Sequence, residues 1–280
     1  MINQISFKEQ KPTLYIVSTP IGNLKDITYR AIEILSSVDY ILAEDTRVTD
    51  KLLKHYFINK KLISYHEHNK FEKEELILKL LSENNHIALV SDAGTPMISD
   101  PGYEITQTVM QNEYPVVAIP GASALLTALI TSNIAPMPFI FIGFLPRKQS
   151  DQKTFLEKYK SYQEALIIYE SPKRIEKTLQ VIYEVYGNRK ISLARELTKK
   201  FETITNGYIE DILKTELNLL GEYVLIIEGN QIEVDYNEIT IEAHVLLYIK
   251  QGYTEKEALK LVAKDRNVKK SDIYQAYKIK

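Results

Sequence analysis

Cysteine is absent from the 280 residues of this chain, and so are long apolar runs. Without cysteine the protein can form no disulfide bond, no thiolate metal site and no cysteine nucleophile. No apolar run reaches the roughly 18 residues that a membrane-spanning helix needs. Residues 1–11 are polar and lack the apolar core of a signal peptide, so we expect a flexible N-terminal tail. These absences favour a cytoplasmic protein with no membrane partner.

An excess of one charge sign is also absent. The chain carries 35 Lys and Arg against 37 Asp and Glu, which gives a net charge of −2. This balance argues against a uniformly basic nucleic-acid coat, so a nucleic-acid partner would need a local basic surface. The composition, 45% hydrophobic and 26% charged, is typical of an ordinary folded protein. The length suits two domains of about 100–150 residues with an appendage.

The first half of the chain alternates short apolar runs with amphipathic segments. Apolar runs at 14–17, 40–43, 87–90 and 115–119 predict strands, and a helical pattern follows each of them. This order predicts a largely parallel sheet with helices on both faces. Loops at 19–23, 44–47, 92–97 and 120–124 directly follow predicted strands. Open α/β sheets bind ligands at the carboxyl ends of their strands, so these loops are expected to line a small-molecule pocket.

Charged side chains gather where two of these strands end. Glu44, Asp45 and Arg47 follow the second predicted strand, and Asp92 follows the third, in a loop rich in Gly and Pro. One interpretation is a ligand site at the sheet edge. The other is that these carboxylates only cap backbone N–H groups at the start of the next helix. The residues alone leave both open.

Two histidines close together suggest a metal site only at first sight. His66 and His68 share one face of an extended segment, but no other ligand stands at a suitable spacing. We therefore expect no metal.

The second half repeats the pattern with basic loops. Residues 133–138 hold two Pro and an Asn and are taken as the linker between an N-terminal α/β domain at 12–132 and a C-terminal α/β domain at 139–236. Loops after three of its predicted strands carry paired cations: Arg147 with Lys148, Lys173 with Arg174, and Lys199 with Lys200. At one strand-to-helix edge these pairs are expected to bind RNA phosphates. The alternative is that they only keep exposed loops soluble.

The last stretch, 237–280, carries helical patterns alone. From Ile241 onward, nine Lys and Arg stand against five Asp and Glu, a local excess of four positive charges. Thr254 followed by Glu257 predicts a capping box, and short helices around a turn resemble a helix-turn-helix. We expect a basic helical tail that binds RNA; the alternative is a small packing or oligomerisation unit.

Eight ordered motifs then bear a resemblance to a known family. They are S-T-P-I-G-N-L (18–24), A-E-D-T-R (43–47), S-D-A-G-T-P-M-I-S-D-P-G (91–102), P-G-A-S-A (120–124), G-F-L-P-R-K (143–148), Y-E-S-P-K-R (169–174), R-E-L-T-K (195–199) and G-E-Y-V-L-I-I-E-G (221–229). Together they closely resemble the ribosomal RNA small subunit methyltransferase I family, in the tetrapyrrole methylase superfamily. The resemblance covers about residues 14–229, and the tail matches more loosely.

The resemblance implies two α/β domains with S-adenosylmethionine in the cleft between them, in a homodimer. It implies methylation of the ribose 2′-OH of a cytidine in the decoding region of 16S RNA, with that RNA in the small ribosomal subunit as the expected partner. Such chemistry needs no metal and no protein nucleophile, because the cofactor carries its own electrophilic methyl group.

Site residues are also carried over from the resemblance. The cofactor is expected to contact Pro20, Gly22, Asn23, Asp92, Gly94, Thr95, Met97, Ser123, Ala124, Tyr169 and Leu197. Of these, Pro20, Gly22 and Asn23 would form the floor beneath the reacting methyl. Glu44 or Asp45 is the candidate acceptor of the ribose proton, with Arg47 orienting the carboxylate or a phosphate.

Two other functions compete with this one. A methylase from another branch of the superfamily acts on a tetrapyrrole or on a diphthamide precursor, and it needs no cationic loops. A non-catalytic RNA-binding assembly factor would keep the cleft without using it. Nucleotide hydrolysis is disfavoured because the glycine-bearing loops lack the pattern G-x-x-x-x-G-K-[ST].

Overall fold

The structure is a computed structural model that describes residues 4, 11–67, 69–231, 236 and 239–278. The chain divides into two compact units, one that ends at Asn230 and one that begins at Gln231. None of the described helices is long and apolar enough to cross a membrane. The predicted N-terminal tail lies outside the described residues except for Gln4 and Lys11. The Gln4 side-chain amide pairs with the backbone of Val116.

A parallel sheet organises the first half of the larger unit. Its strands are β1 (Leu14–Val17), β2 (Tyr40–Ala43), β3 (Lys61–Ser64), β4 (Ile87–Val90) and β5 (Val116–Ile119), in the spatial order β3-β2-β4-β1-β5. The helices are a short 3-10 turn (Leu24–Asp26), α1 (Tyr29–Ser37), α2 (Thr46–His55), α3 (Lys70–Ser82), α4 (Tyr103–Gln111) and α5 (Ala124–Thr131). Every pairing in this sheet is parallel. The carboxyl ends of its strands therefore share one edge, as the sequence predicted.

The central strand β4 is apolar at every position and is buried on both faces of the sheet. In β4, Ala88 and Val90 pack into the core on one face, whereas Ile87 and Leu89 pack into the core on the other. Burial of each aliphatic side chain of this size contributes roughly 1.5–3 kcal/mol. The loops at the ends of these strands are thus carried by a rigid scaffold.

The second sheet is mixed rather than parallel. It contains β6 (Phe139–Phe144), β7 (Ala165–Glu170), β8 (Lys190–Arg195), β9 (Thr203–Tyr208) and β10 (Tyr223–Ile227), in the order β6-β7-β10-β8-β9. Its helices are α6 (Gln149–Glu157), α7 (Ile175–Tyr186) and α8 (Ile209–Ile212). Strands β6 and β7 are parallel, and β10 runs antiparallel to both β7 and β8. The carboxyl ends of β6, β7 and β8 therefore share one edge, together with the start of β10.

One expectation for this half was wrong. The connection 195–200 leads from β8 into the antiparallel strand β9, so it is a hairpin loop and not a strand-to-helix loop. The loop at Glu228 and Gly229 follows β10, whose reversal places it at the edge opposite to the basic loops. The residues that enter β10, and not those that leave it, lie beside the other strand ends.

The two sheets share one core within the larger unit. Ile21 and the α5 residues Ala128 and Leu129 belong to the same buried cluster as Ile167 of β7 and Ile226 of β10. The predicted domain limits of 12–132, 133–138 and 139–236 follow this division into two sheets, but they stay predictions, because both sheets lie in one compact unit.

The smaller unit is helical, as the sequence predicted for the tail. It contains α9 (Ile241–Lys250), α10 (Glu255–Asp265) and α11 (Lys270–Lys278). Its core includes Val245, Leu259 and Val262. The Thr254–Glu257 capping box is confirmed, since each side chain bonds to the other residue's backbone N–H. Residues 237, 238, 279 and 280 of the predicted tail lie outside the described residues.

Candidate functional site

The loops after β1 and β4 are tied together at the sheet edge. Thr19 and Gly94 exchange two backbone hydrogen bonds, of 2.8 and 3.1 Å. Next to this bridge, the hydroxyls of Ser18 and Thr95 lie 3.0 Å apart. Gly94 has a φ of +81°, and a Cβ there would lie 3.3 Å from Ile21 Cγ2. Only glycine adopts this backbone conformation without strain, which explains why the loop carries glycine at this point.

These loops face the second sheet across a cavity of about 460 Å³, which we call cavity 1. Its volume is within the range of about 300–1,000 Å³ that small-molecule sites occupy. The first half contributes Ile21, Glu44, Asp92, Ala93, Gly94, Thr95, Ile98, Ser99, Asp100, Ser123 and Ala124. The second half contributes Phe144, Tyr169, Glu170, Ser171, Pro172, Ala194, Leu197, Glu222, Tyr223 and Val224. Cavity 1 is therefore a cleft between the two sheets.

Acidic side chains concentrate on one wall of cavity 1. Glu44 at the end of β2 joins Asp92 and Asp100 from the long loop after β4. Burial, and then the negative charge of Asp92, raises the pKa of Glu44. Burial, followed by the charge of Glu44, raises the pKa of Asp100 from 3.8 to about 6 despite a hydrogen bond from Ser91. This wall favours a ligand that brings positive charge or hydroxyl donors.

Asp45 and Arg47 form a closed pair outside cavity 1. Asp45 is the N-cap of α2, and its carboxylate accepts from the Arg47 backbone N–H at 2.8 Å and from the guanidinium at 2.6 and 3.0 Å. Hydrogen bonds from Arg47 lower the pKa of Asp45 to about 2. The Asp45 backbone N–H donates to Asp92 Oδ1 at 3.0 Å. For Asp45 the capping interpretation is therefore the one that the structure shows, and the backbone of Asp45 orients Asp92.

A second cavity, of about 410 Å³, adjoins the first; we call it cavity 2. It is lined by Thr19, Pro20, Ile21, Gly22, Leu24, Val48, Thr49, Lys51, Leu52, Ser91, Asp92, Ala93, Lys199 and Glu222. Four of these residues also line cavity 1: Ile21, Asp92, Ala93 and Glu222. The two cavities are thus neighbours with a common wall, and that wall carries two carboxylates.

A contact between the two halves closes one side of cavity 2. The Asn23 backbone N–H donates to Thr198 Oγ1 at 3.0 Å. A Cβ added at Gly22 would collide with the Lys199 side chain, so this glycine permits the close approach. Lys199 Nζ in turn bonds to Glu196 at 2.9 Å and to Glu222 at 3.1 Å. We call this contact, formed by residues 22–23 and 198–199, the clasp.

The predicted RNA-binding cations fall into two groups. Arg147, Lys148, Lys173 and Lys200 are exposed at the loops that follow β6, β7 and β8. Arg174 and Lys199, in contrast, already have hydrogen-bond partners within the protein. Arg174 Nη2 donates to the backbone carbonyls of Leu145 at 3.0 Å and Pro146 at 2.8 Å, and it lies 3.3 Å from the buried Glu170 carboxylate. Lys199 is held by the carboxylates of Glu196 and Glu222. These two cations have structural partners that the sequence did not reveal.

The predicted cofactor residues are also divided by the structure. Asp92, Gly94, Thr95, Ser123, Ala124, Tyr169 and Leu197 line cavity 1. Pro20 and Gly22 line cavity 2. Asn23 and Met97 belong to the described residues and line neither cavity. Asn23 contributes to the clasp, and a Cβ at Gly102 would lie 2.9 Å from Met97 Cγ, which places the Met97 stem against that glycine.

Several lining residues were missed by the sequence analysis. The most consequential are Asp100, Glu222 and Tyr223. Asp100 stands in the quoted motif 91–102, so its motif was visible although its role was not. Glu222 precedes β10 and Tyr223 begins it, and a parallel second sheet would have placed both at the far edge. Phe144, whose ring centroid lies 5.7 Å from that of Tyr169, also stands in a quoted motif, 143–148.

The fold and the sequence both match known proteins. The family model described as Tetrapyrrole (Corrin/Porphyrin) Methylases matches residues 13–213. The crystal structure of diphthine synthase aligns with a TM-score of 0.61 over 77% of this chain and 90% of that chain, at 11% identity, which shows a common fold. These observations define the class of the protein: it is an α/β protein of methylase fold, with a cleft between its two sheets.

Relatives that match nearly the whole chain specify the class further. Proteins named "Ribosomal RNA small subunit methyltransferase I" are 48% identical in Bacillus subtilis, over 99% of this chain and 98% of theirs, and 45% identical in Streptococcus pyogenes, over 98% of both. The one in Haemophilus influenzae is 44% identical over 94% of this chain and 95% of its own. The chain therefore belongs to the tetrapyrrole methylase family and, within it, to the ribosomal RNA small subunit methyltransferase I family.

This membership confirms the predicted family and the predicted fold class. It also confirms the predicted activity, that of an S-adenosylmethionine-dependent methyltransferase. Cavity 1 fits this cofactor on three grounds. Its carboxylates from Glu44, Asp92 and Asp100 complement a cation, its Ile21 and Leu197 walls are apolar, and Gly94 lets a ligand approach the backbone.

Proposed function

We propose that this protein methylates the ribose 2′-OH of a cytidine in the decoding region of 16S RNA, with S-adenosylmethionine bound in cavity 1. The observation that carries the proposal is the 44–48% identity to relatives named as methyltransferases of small subunit ribosomal RNA, over 94–99% of this chain. The family model ends at residue 213, whereas these matches span nearly the whole chain. The basic loops add support, since they offer cations to a polyanion.

S-adenosylmethionine, when bound, supplies a methyl group on a positively charged sulfur, and loss of that methyl group leaves a neutral thioether. The protein must hold two ligands so that the oxygen stands in line with this methyl group. Such positioning can lower a barrier by about 7–11 kcal/mol. The loop bridge at Thr19 and Gly94 and the carboxylate wall around Asp92 are the elements that fix the first ligand.

The ribose hydroxyl loses its O–H bond as the new O–C bond forms, and its proton needs an acceptor. Of the two predicted acceptors, Glu44 is the one that lines cavity 1, and burial raises its pKa toward the operating pH. Asp45 is committed to Arg47 and has a pKa of about 2, which makes it a weak base. We therefore assign Glu44 as the acceptor of the ribose proton. Asp45 orients Asp92 through its backbone N–H.

RNA contacts are proposed for the exposed cations at the mouth of the cleft. Arg147, Lys148, Lys173 and Lys200 are free to approach phosphates, which explains how a near-neutral protein holds a polyanion. Phe144 is 55% exposed and offers a ring on which an unstacked base can pack.

The helical unit is proposed as a further RNA contact. Lys256, Lys260, Lys264, Lys269 and Lys270 are exposed on its surface. Replacement of Lys269 and Lys270 by Ala is expected to flatten the salt dependence of RNA binding, with the thermal stability of the protein unchanged.

A homodimer is proposed on different grounds. Leu126 and Ile130 are one helical turn apart on α5 and are 49% and 76% exposed. A paired apolar face of this kind is typical of an interface. Sedimentation velocity should find a dimer for the wild type and a monomer for Ile130→Asp. A cytoplasmic location, and action on the small ribosomal subunit, follow from the proposed substrate.

Transfer of labelled methyl groups tests the proposal directly. Purified protein and S-adenosylmethionine are incubated with unmodified 16S RNA or with small subunits that lack the methyl group. A 2′-O-methyl group blocks alkaline cleavage of the bond that follows it, so one missing cleavage product identifies both the nucleotide and the ribose. Label on a base, on protein or on no RNA at all would contradict the proposal. Tight cofactor binding without transfer to either substrate would favour the assembly-factor alternative.

A further inference from the structure

Cavity 2 differs from cavity 1 in what lines it. One face of α2 supplies Val48, Thr49, Lys51 and Leu52, and the loop after β1 supplies Leu24. Val48 and Leu24 are 40% and 38% exposed, so these aliphatic side chains are accessible to a ligand and are not buried in the core. The cavity thus offers accessible aliphatic side chains on the α2 side.

Lys51 is the cation on this wall that is available to a ligand. Its neighbours on α2 are paired: Arg47 lies 2.6 Å from Asp45, and Lys54 lies 2.6 Å from Asp50. In the part of the chain that the structure describes, no carboxylate forms an ion pair with Lys51. An unpaired ammonium beside an apolar wall matches the phosphate and the base of a single nucleotide.

The wall common to both cavities carries the groups that a ribose would meet. Asp92 and Glu222 line both cavities, and carboxylates accept hydrogen bonds from sugar hydroxyls. One oxygen of Asp92 is held by the Asp45 backbone N–H, and one oxygen of Glu222 is held by Lys199. Each carboxylate therefore has one oxygen already hydrogen-bonded before a ligand arrives.

We propose that cavity 2 binds one unstacked nucleotide of the RNA substrate, with its base against Leu24, Val48 and Leu52, its phosphate on Lys51 and its ribose toward the common wall. This assignment rests on the proposed function, since it supplies the site for the nucleotide that is methylated. The volume of about 410 Å³ is in the range of small-ligand sites, and protein recognition of single-stranded RNA commonly uses splayed-out bases.

A cavity-filling substitution tests the base site. Val48→Trp inserts a large ring into cavity 2, and Lys54→Trp adds the same ring to α2 outside it. We expect Val48→Trp to lose roughly tenfold or more in affinity for an unmethylated decoding-region transcript, measured without cofactor. Its S-adenosylmethionine affinity is expected to stay within about twofold of the wild type, because cavity 1 is untouched. The Lys54→Trp control should bind both ligands normally.

A charge substitution tests the phosphate site and depends less on packing. Lys51→Ala is expected to reduce the slope of log affinity against log salt by about 0.7, the value for one phosphate contact to a single strand. Lys54→Ala removes a cation from the same helix, but one that lies outside cavity 2. The salt slope of this control variant should equal that of the wild type. Unchanged RNA affinity in both Val48→Trp and Lys51→Ala would overturn the assignment.

The outcome also separates this inference from the proposed function. If Val48→Trp and Lys51→Ala weaken RNA binding while the wild type methylates no RNA, cavity 2 stands as a nucleotide site and the proposed reaction fails. If the wild type methylates 16S RNA and both variants match it in RNA affinity and turnover, the reaction stands and cavity 2 is not the nucleotide site.

Discussion

Arg174 and Lys173 are adjacent in the sequence but should respond in opposite ways to alanine. Arg174 Nη2 donates to the carbonyls of Leu145 and Pro146 and lies 3.3 Å from Glu170, whose side chain has no exposed surface. Hydrogen bonds that involve a charged group contribute about 1.5–3 kcal/mol each. Because Arg174 is 28% exposed, water replaces part of this loss, and we expect Arg174→Ala to lower the free energy of unfolding by about 2 kcal/mol.

Two measurements distinguish the structural role of Arg174 from a phosphate contact. A loss of about 2 kcal/mol corresponds to a Tm that is roughly 4–8 °C lower in a unit of this size. Lys173→Ala, at an exposed position, should leave Tm unchanged and reduce the salt slope of RNA binding by about 0.7. Urea denaturation and a salt titration of both variants supply the numbers. An Arg174→Ala protein with wild-type Tm and a reduced salt slope would refute this reasoning.

Three further predictions concern the cleft. Gly94→Ala should abolish cofactor binding and lower stability by about 1–2 kcal/mol through its positive φ, whereas Gly187→Ala, also at positive φ but with no atom within 4 Å of the added Cβ, should lower stability alone; calorimetric titration separates them. Because burial raises the pKa of Asp100 to about 6, its ionisation opposes folding from about pH 4 upward, and the loss is complete above pH 6. Asp100→Asn should therefore raise the free energy of unfolding by about 1–2 kcal/mol near pH 8 and by nothing near pH 3, with weaker cofactor binding; equal gains at both pH values would contradict this. Glu44→Gln should lower kcat by about 10²–10⁴ when the cofactor is saturating, whereas Asp45→Asn, which preserves the helix cap, should stay within a few-fold of the wild type; full turnover in both would remove the assignment.

The edge of the first sheet could be predicted because its evidence is local. Apolar runs such as 87–90 identify buried strands, and the loops that follow parallel strands must meet at one edge. Gly94 in a loop between Asp92 and Pro96 likewise signals a special backbone conformation. Periodicity and turn chemistry act over a few residues, so the sequence alone was sufficient here.

The second sheet was harder because strand direction depends on distant pairing. The run 223–227 reads as a strand in either orientation, and only its position between β7 and β8 makes it antiparallel. Strand β9, T-I-T-N-G-Y, has a weak alternation because it lies at the sheet edge and is largely exposed. Glu222 was missed for the same reason, since the reversal of β10 is what brings it to the cleft.

The roles of individual cations were not predictable from charge and spacing. Lys173 and Arg174 are equivalent as a sequence pair, yet only Arg174 reaches the carbonyls of the β6 loop. Lys199 pairs with Glu222, which is 23 residues away in the chain. Such partners are set by tertiary structure, and a sequence pattern records the presence of a charge but not its partner.

The wall that the two cavities share has a thermodynamic consequence. Any molecule that restrains Asp92 or Glu222 from one side changes the free energy of binding on the other side. Linkage requires that this cooperativity be mutual. The factor by which the bound methyl donor changes the affinity for RNA equals the factor by which bound RNA changes the affinity for the methyl donor. Titrations of either ligand, with and without the other, thus measure the coupling free energy that the shared wall transmits.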